Sequence, residues 1–464
     1  MRKFLLFLIS LPLTACITRP IDHSPALSPL EHIEPKLGGG DINIPKHWWR
    51  QLGDPQLELL VNEALKHSPN MALAKLRVEA AQQQVNAELA TMGPKITGNA
   101  QLNEQRLSKN YIYLPNMPAT TSYGLAGASL NWSLDIWDKQ KKTLEAIKQD
   151  VKSQDYDLEF TKLWLAFTVV QAYIDYDIAF QHNQIASEGL ATQKQLSFIA
   201  KERFKAGLVD HNLVDQLQIE LEKAIMAELK TEQIIKMQQH QLAALVNQGP
   251  SWGEALEAPQ IHDELRPLPE LIPASLIARR SDLQALLTQI NGAKLRVDVA
   301  KLSYLPDVNL QSLIGFQAFN LGHLLESNSR QFSLGPVLSL PIFDSGAIAS
   351  SISSRQIERN QLIYSYQNTL LSILKESANG ILAVNTSAQN LTQASQAECQ
   401  AASLYAVTQQ KRLAGLVDDT TLLQAQLQYL MNKQQLLDAQ DQHMHDYVSL
   451  LMSLGGPIET EVTH

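Results

Sequence analysis

Leu13-Thr14-Ala15-Cys16 sets a thiol directly after small residues. That spacing suits a signal peptidase that cleaves ahead of a thioether-lipidated cysteine, so Cys16 is the expected lipidation site. The residues before it agree. Arg2 and Lys3 make a basic start, and Phe4 to Leu13 an apolar stretch too short to span a bilayer. Such a leader implies a bacterial envelope. Ile17, standing where an aspartate would favour retention in the inner membrane, points to the outer one. With Cys16 acylated, Cys399 has no partner for an intrachain disulfide, and it is expected as a buried structural thiol in a helix.

Other reactive constellations are thin. The tight histidine pair, His443 and His445, is two positions apart on a helical stretch, which turns the rings to different sides; no metal site is expected. The sequence holds no phosphate-binding loop, no GxSxG elbow and no HExxH, so no catalytic residue, no cofactor and no enzyme is expected. A net charge of −9 and a pI near 5.8 argue against nucleic acid as a partner. The charges that gather do so around a pentapeptide. AGLVD occurs at 206–210 and again at 414–418, with Arg203, Asp210 and Asp215 by the first copy and Arg412, Asp418 and Asp419 by the second. At both places glycine and a turn-prone aspartate interrupt a helical pattern, which reads as the reversing tip of a helical hairpin.

Long helices must carry those tips. Proline is absent from 119 to 249 and from 342 to 456, stretches rich in Gln, Ala, Leu, Lys and Glu. Leu158, Thr161, Leu165, Val169, Ala172 and Tyr176 follow a three-four spacing, one buried stripe. A continuous helix from Asp138 to Arg203 would run about 100 Å at 1.5 Å per residue, so its packing must be coiled-coil-like. Ahead of each run the pattern changes to period two. Ile96, Gly98, Ala100 and Leu102 alternate with polar residues, as do Ala128 to Ile136, Val308 to Ala318 and Phe332 to Ile342. Four such strands, joined in pairs by polar loops near 107–121 and 319–330, fit a wall between lipid and a watery lumen. Four strands cannot close a barrel, and lipid tolerates no bare sheet edge, so three copies making twelve strands are expected.

The pentapeptide is one of several echoes. Pro94 and Pro306 stand 212 residues apart, LDIWD (134–138) and LPIFD (340–344) 206, and the tip glycines 208. An internal duplication follows. The expected layout is a signal peptide (1–15), a lipidated, proline-rich tether (16–45), and a first repeat (46–247) with its strand pair in 94–137 and helical hairpin in 138–247. A linker belt (248–272) then precedes a second repeat (273–456), with strand pair 305–343 and hairpin 346–456, and a short tail (457–464). Trp48 and Trp49 are expected to anchor the entering chain on the helices.

With the lipobox, WWRQLGDPQLELLVNEALKHSPNMALAKLRVEAAQ (48–82), LNWSLDIWDK (130–139), RFKAGLVDHNLVDQLQ (203–218), LGPVLSLPIFDSG (334–346) and KRLAGLVDDTTLLQAQ (411–426) in hand, the chain resembles the TolC-like outer-membrane factors, closest to the lipoprotein branch serving RND-type pumps. The resemblance implies a mainly α fold with a membrane β part: a homotrimer whose strands form one twelve-stranded barrel above a long α-helical barrel in the periplasm. It implies a passive export duct that joins an inner-membrane transporter through a periplasmic adaptor. Ala206, Gly207, Leu208, Ala414, Gly415 and Leu416 would be the adaptor contact. The family's acidic constriction often uses an aspartate where this chain has Gln424, and an aromatic where it has Arg412. Arg203, Asp210, Asp215, Arg412, Asp418, Asp419 and Gln424 are therefore the candidate gate. Cargo stays open among drugs, dyes, detergents and metal ions, and a type I protein-secretion or MacB-type export system is the alternative.

Overall fold

The computed structural model describes Pro25 and residues 47–106, 108, 120–261 and 274–456. The lipobox with Cys16, the tail and all of the tether but Pro25 lie outside these residues, as do 262–272 of the belt and residue 273. The first repeat runs α1 (Pro55–His67), α2 (Pro69–Met92), β1 (Lys95–Arg106), β2 (Thr120–Leu134), α3 (Lys139–Lys205) and α4 (His211–Leu245). The second runs α5 (Ser281–Leu302), β3 (Asp307–Ala318), β4 (Arg330–Ser339), α6 (Ala347–Leu413) and α7 (Asp419–Ser453). Helices α3 and α6 are each 67 residues long, and α4 and α7 are each 35. Equal lengths in both halves are what duplication leaves when helix ends are fixed by retained capping residues.

Those caps are visible. Where strand gives way to α3, the Asp135 carboxylate accepts the Gln140 and Lys141 amides, both at 2.9 Å. At the start of α6 the Asp344 carboxylate takes the Gly346 and Ile348 amides at 3.0 and 2.8 Å. A carboxylate at a helix N-terminus meets unpaired N–H groups and the positive end of the dipole. Asp344 aligns with Asp138, which instead has φ 55°, so the capping duty has moved by three residues between the repeats.

Two compact units cut across the repeats. The first gathers the described residues of Glu79–Ser153 and Leu286–Ser365 around an antiparallel sheet of order β1-β2-β3-β4. The strands differ in extent from the sequence reading. β1 continues to Arg106, β2 already begins at Thr120, and β4 ends at Ser339, short of Ile342. Pairing with a neighbour, rather than alternation, decides where a strand stops: Arg106 lies opposite Thr120, whereas Pro341 has no N–H to give. At the centre Gly127 faces Gly315, and a Cβ on Gly315 would stand 2.3 Å from the Ala126 carbonyl oxygen. Only glycine permits that approach. Ile96, Leu102, Ile314, Phe332, Leu334 and Leu338 remain exposed on the sheet.

The second unit holds the described residues of Ser28–Val78, Gln154–Ala285 and Tyr366–His464. Its core centres on α3. The expected stripe is too narrow here: from Leu165 to Ala179 nearly every side chain is buried, because other segments wrap the helix. Trp48 stacks on Phe167 at 4.6 Å between ring centres, and Trp49 is buried beside it. Asp54 caps α1 and accepts the Tyr173 hydroxyl at 2.6 Å and the Gln260 amide at 2.8 Å. Gln56 donates to the same hydroxyl and pairs with the Glu257 backbone. Burial, then the Asp54 carboxylate, push the Tyr173 hydroxyl far up, so it stays a neutral donor. No described helix is long and apolar enough to cross a membrane.

Candidate functional site

The five letters of AGLVD carry the whole chemistry of a helix reversal. At the end of α3, Gly207 adopts φ +70°; its N–H bonds the Phe204 carbonyl and the Leu208 N–H bonds the Arg203 carbonyl, each at 2.9 Å. At the end of α6, Gly415 has φ +73°, with Gly415 N–H to Arg412 at 3.0 Å and Leu416 N–H to Lys411 at 2.9 Å. This is the Schellman closure, in which a left-handed glycine lets two amides fold back onto orphan carbonyls. Two residues later an aspartate opens the returning helix: Asp210 accepts the Leu213 amide at 3.1 Å, and Asp418 the Thr421 amide at 2.9 Å. Ala206, Gly207 and Leu208, like Ala414, Gly415 and Leu416, end up exposed. The leucines are strongly exposed, 73% and 74% accessible.

Charge wires the two tips together. The Arg203 guanidinium donates to Asp418 at 2.8 Å, across 215 positions of sequence. Arg412 grips Asp419 through Nε at 2.5 Å and Nη2 at 3.0 Å. Arg203, then Thr421, hold the Asp418 carboxyl well below the usual carboxylate range; Arg412 lowers Asp419 as well. Asp215 does not join this network. It meets His211 one turn away on the same helix, at 2.9 Å. Gln424 lies exposed on α7, and Asp210 serves as a cap.

The Arg203 pair ends a ladder along the seam between α3 and α7. Further up, Glu188 lies 3.8 Å from Lys433, His182 3.1 Å from Asp438 and Asp175 2.9 Å from His445. The sequence reading foresaw that His443 and His445 point apart, and they do: His443 Nδ1 meets Ser387 on α6 at 3.0 Å. It missed what His445 meets. Asp175, which accepts the hydrogen bond of its Nε2, and then the Asp441 carboxylate beside it push its pKa to about 10. The Asp441–His445 spacing of four was the available signal. One expectation fails outright: Cys399 is exposed. It falls on the outward polar stripe of α6 with Thr392 and Gln396, which the position's helical setting alone did not reveal.

Residues 60–248 and 272–456, one span in each repeat, match the family described as Outer membrane efflux protein. The chain belongs to that family. It is 26% identical over 418 residues to the putative multidrug resistance outer membrane protein MdtQ of Escherichia coli K12, covering 88% of this chain and 87% of MdtQ. It is 30% identical over 312 residues to the fusaric acid resistance protein FusA of Burkholderia cepacia, 66% of this chain and 59% of FusA. In fold it resembles the CmeC outer membrane channel of Campylobacter jejuni, with a TM-score of 0.83 at 21% identity over 94% of this chain and 95% of CmeC. The protein is thus an outer-membrane efflux channel, mainly α-helical with a β part and duplicated halves. Family and fold are those of channels, not enzymes.

Proposed function

We propose that three copies of this chain form a passive export duct, fed by an inner-membrane transporter through a periplasmic adaptor. One observation carries this reading. The four-stranded sheet ends in β1 and β4, whose outer edges have no strand partner among the described residues, and its apolar side chains stay exposed. In hydrocarbon each bare N–H or C=O costs several kcal/mol. Sister copies joining β4 to β1 remove every edge, and Ile96, Leu102 and Phe332 then meet acyl chains. Cys16 adds a lipid anchor at the chain's start.

In this reading Leu208 and Leu416, with their flanking alanines and glycines, seat the hairpin tips of the adaptor. The pairs Arg203–Asp418 and Arg412–Asp419 hold the duct shut, with Asp210, Asp215 and Gln424 lining the same end. The cargo is small toxic organic compounds, as the names of MdtQ and FusA suggest for those proteins. A strain lacking the gene tests this. Its susceptibility to apolar drugs should rise, and wild-type chain should restore resistance. The double variant Leu208→Asp/Leu416→Asp should assemble yet fail to restore it. A deletion that lowers sensitivity would instead indicate an uptake pore and overturn the proposal.

A further inference from the structure

We infer that Asp175, Asp441 and His445 form a binding site for a divalent transition-metal ion, of the zinc or cobalt kind, bridging α3 and α7. The donors come from two elements: Asp175 from α3, and Asp441 with His445 from one face of α7. Their three ligand atoms all lie within 4.8 Å of one another. His445 Nε2 is 2.9 Å from Asp175 Oδ1 and 3.3 Å from Asp441 Oδ1. For metal–ligand bonds of about 2.0–2.1 Å, tetrahedral geometry sets neighbouring donors roughly 3.3 Å apart. The two distances from His445 are therefore already near coordinating separation, and the two carboxylate oxygens lie within 4.8 Å of each other.

A second observation points the same way. Asp441 Oδ1 is screened from solvent, and its neighbour His445 Nε2, 3.3 Å away, bonds Asp175 instead, so this oxygen receives no well-directed hydrogen bond. A cation at the centre of the triad satisfies that oxygen directly. The donor chemistry narrows the choice of ion. Two carboxylates and a neutral imidazole carry charge −2, which a divalent ion balances. The imidazole nitrogen disfavours magnesium and calcium, which take oxygen. The side chains are 25–37% accessible, so an ion can reach them and water can fill the remaining position. The ion would replace the proton that His445 now places toward Asp175, and would tie α3 to α7 far from the tip pair Arg203–Asp418.

The test uses tag-free, full-length protein in detergent, stripped with EDTA and dialysed against Zn2+ or Co2+. Wild type should retain one metal per chain by elemental analysis, and Co2+ should give visible absorption of a nitrogen–oxygen site. Asp441→Asn, which leaves the His445–Asp175 pair in place, and His445→Gln should each weaken binding at least tenfold. His443→Gln should bind as wild type does. Circular dichroism confirms that each variant keeps its helices. The inference is overturned by wild type that keeps no metal after dialysis, or by retention that His445→Gln leaves unchanged.

Discussion

The two hairpin tips are alike in backbone and unlike in charge. Both end in the same glycine turn and both restart on an aspartate cap. Yet the second tip holds a bidentate Arg412–Asp419 pair and receives Arg203 from the first, whereas no salt bridge reaches Asp210 among the described residues. Capping is a short-range problem, solved by the pentapeptide itself, so duplication preserved it. Pairing between helices depends on which helix lies alongside. Arg203 on α3 reaches the cap of α7; the equivalent step in the other repeat runs from Lys411 on α6 to Asp210 at α4. One chain does not close that second seam. In a trimer a neighbouring copy would.

The largest expected effect follows from that difference. In a chain with Cys399 replaced by serine, Asp210→Cys with Lys411→Cys should oxidise to a covalent three-chain species on denaturing gels. Arg203→Cys with Asp418→Cys should cross-link within one chain and leave the mass unchanged. Monomer bands from both would dissolve the comparison.

Next in size are the charges of the proposed gate. Asp418→Ala releases the pair that joins the tips and should raise single-channel conductance in planar bilayers severalfold. Asp215→Ala, which frees only a neighbour on its own helix, should change it little. Equal conductance in wild type and Asp418→Ala would remove the tip pair from the gate.

A pH scan sharpens the same point. A carboxylate whose folded pKa is lowered keeps its pair above the ordinary value of 3.8 and loses it only as pH falls through the lowered one. Gate closure attributable to Asp418 and Asp419 should therefore be flat from pH 8 to pH 5 and fail only below 3.8. Opening near pH 6, where histidine titrates, would assign the gate to other groups.

The smallest effect is the symmetric one. Gly207→Ala and Gly415→Ala force a side chain into nearly the same left-handed backbone and should each cost about 1 kcal/mol of local tip stability. Hydrogen exchange at the Leu208 and Leu416 amides would show whether the two losses match.

What was legible in the sequence was local. Proline-free runs, a glycine–aspartate turn and period-two alternation each encode their own element, and the tip closures match AGLVD residue by residue. Contacts that need the register of two distant helices were not legible. Nothing in either segment announces that Arg203 meets Asp418 or that Asp175 meets His445; those pairs arise because α3 and α7 run antiparallel from the tips. Exposure of Cys399 was hidden for the same reason, since it depends on which face of α6 another helix covers. The wide burial of α3 between Leu165 and Ala179 was likewise set by the Trp48 segment and the 256–261 segment packing on it.

The central claim is that the sheet is completed only by sister chains. Native mass spectrometry of the full-length protein released from detergent tests it most directly. A particle of three chains is expected; a folded, detergent-independent monomer would contradict trimeric closure of the sheet.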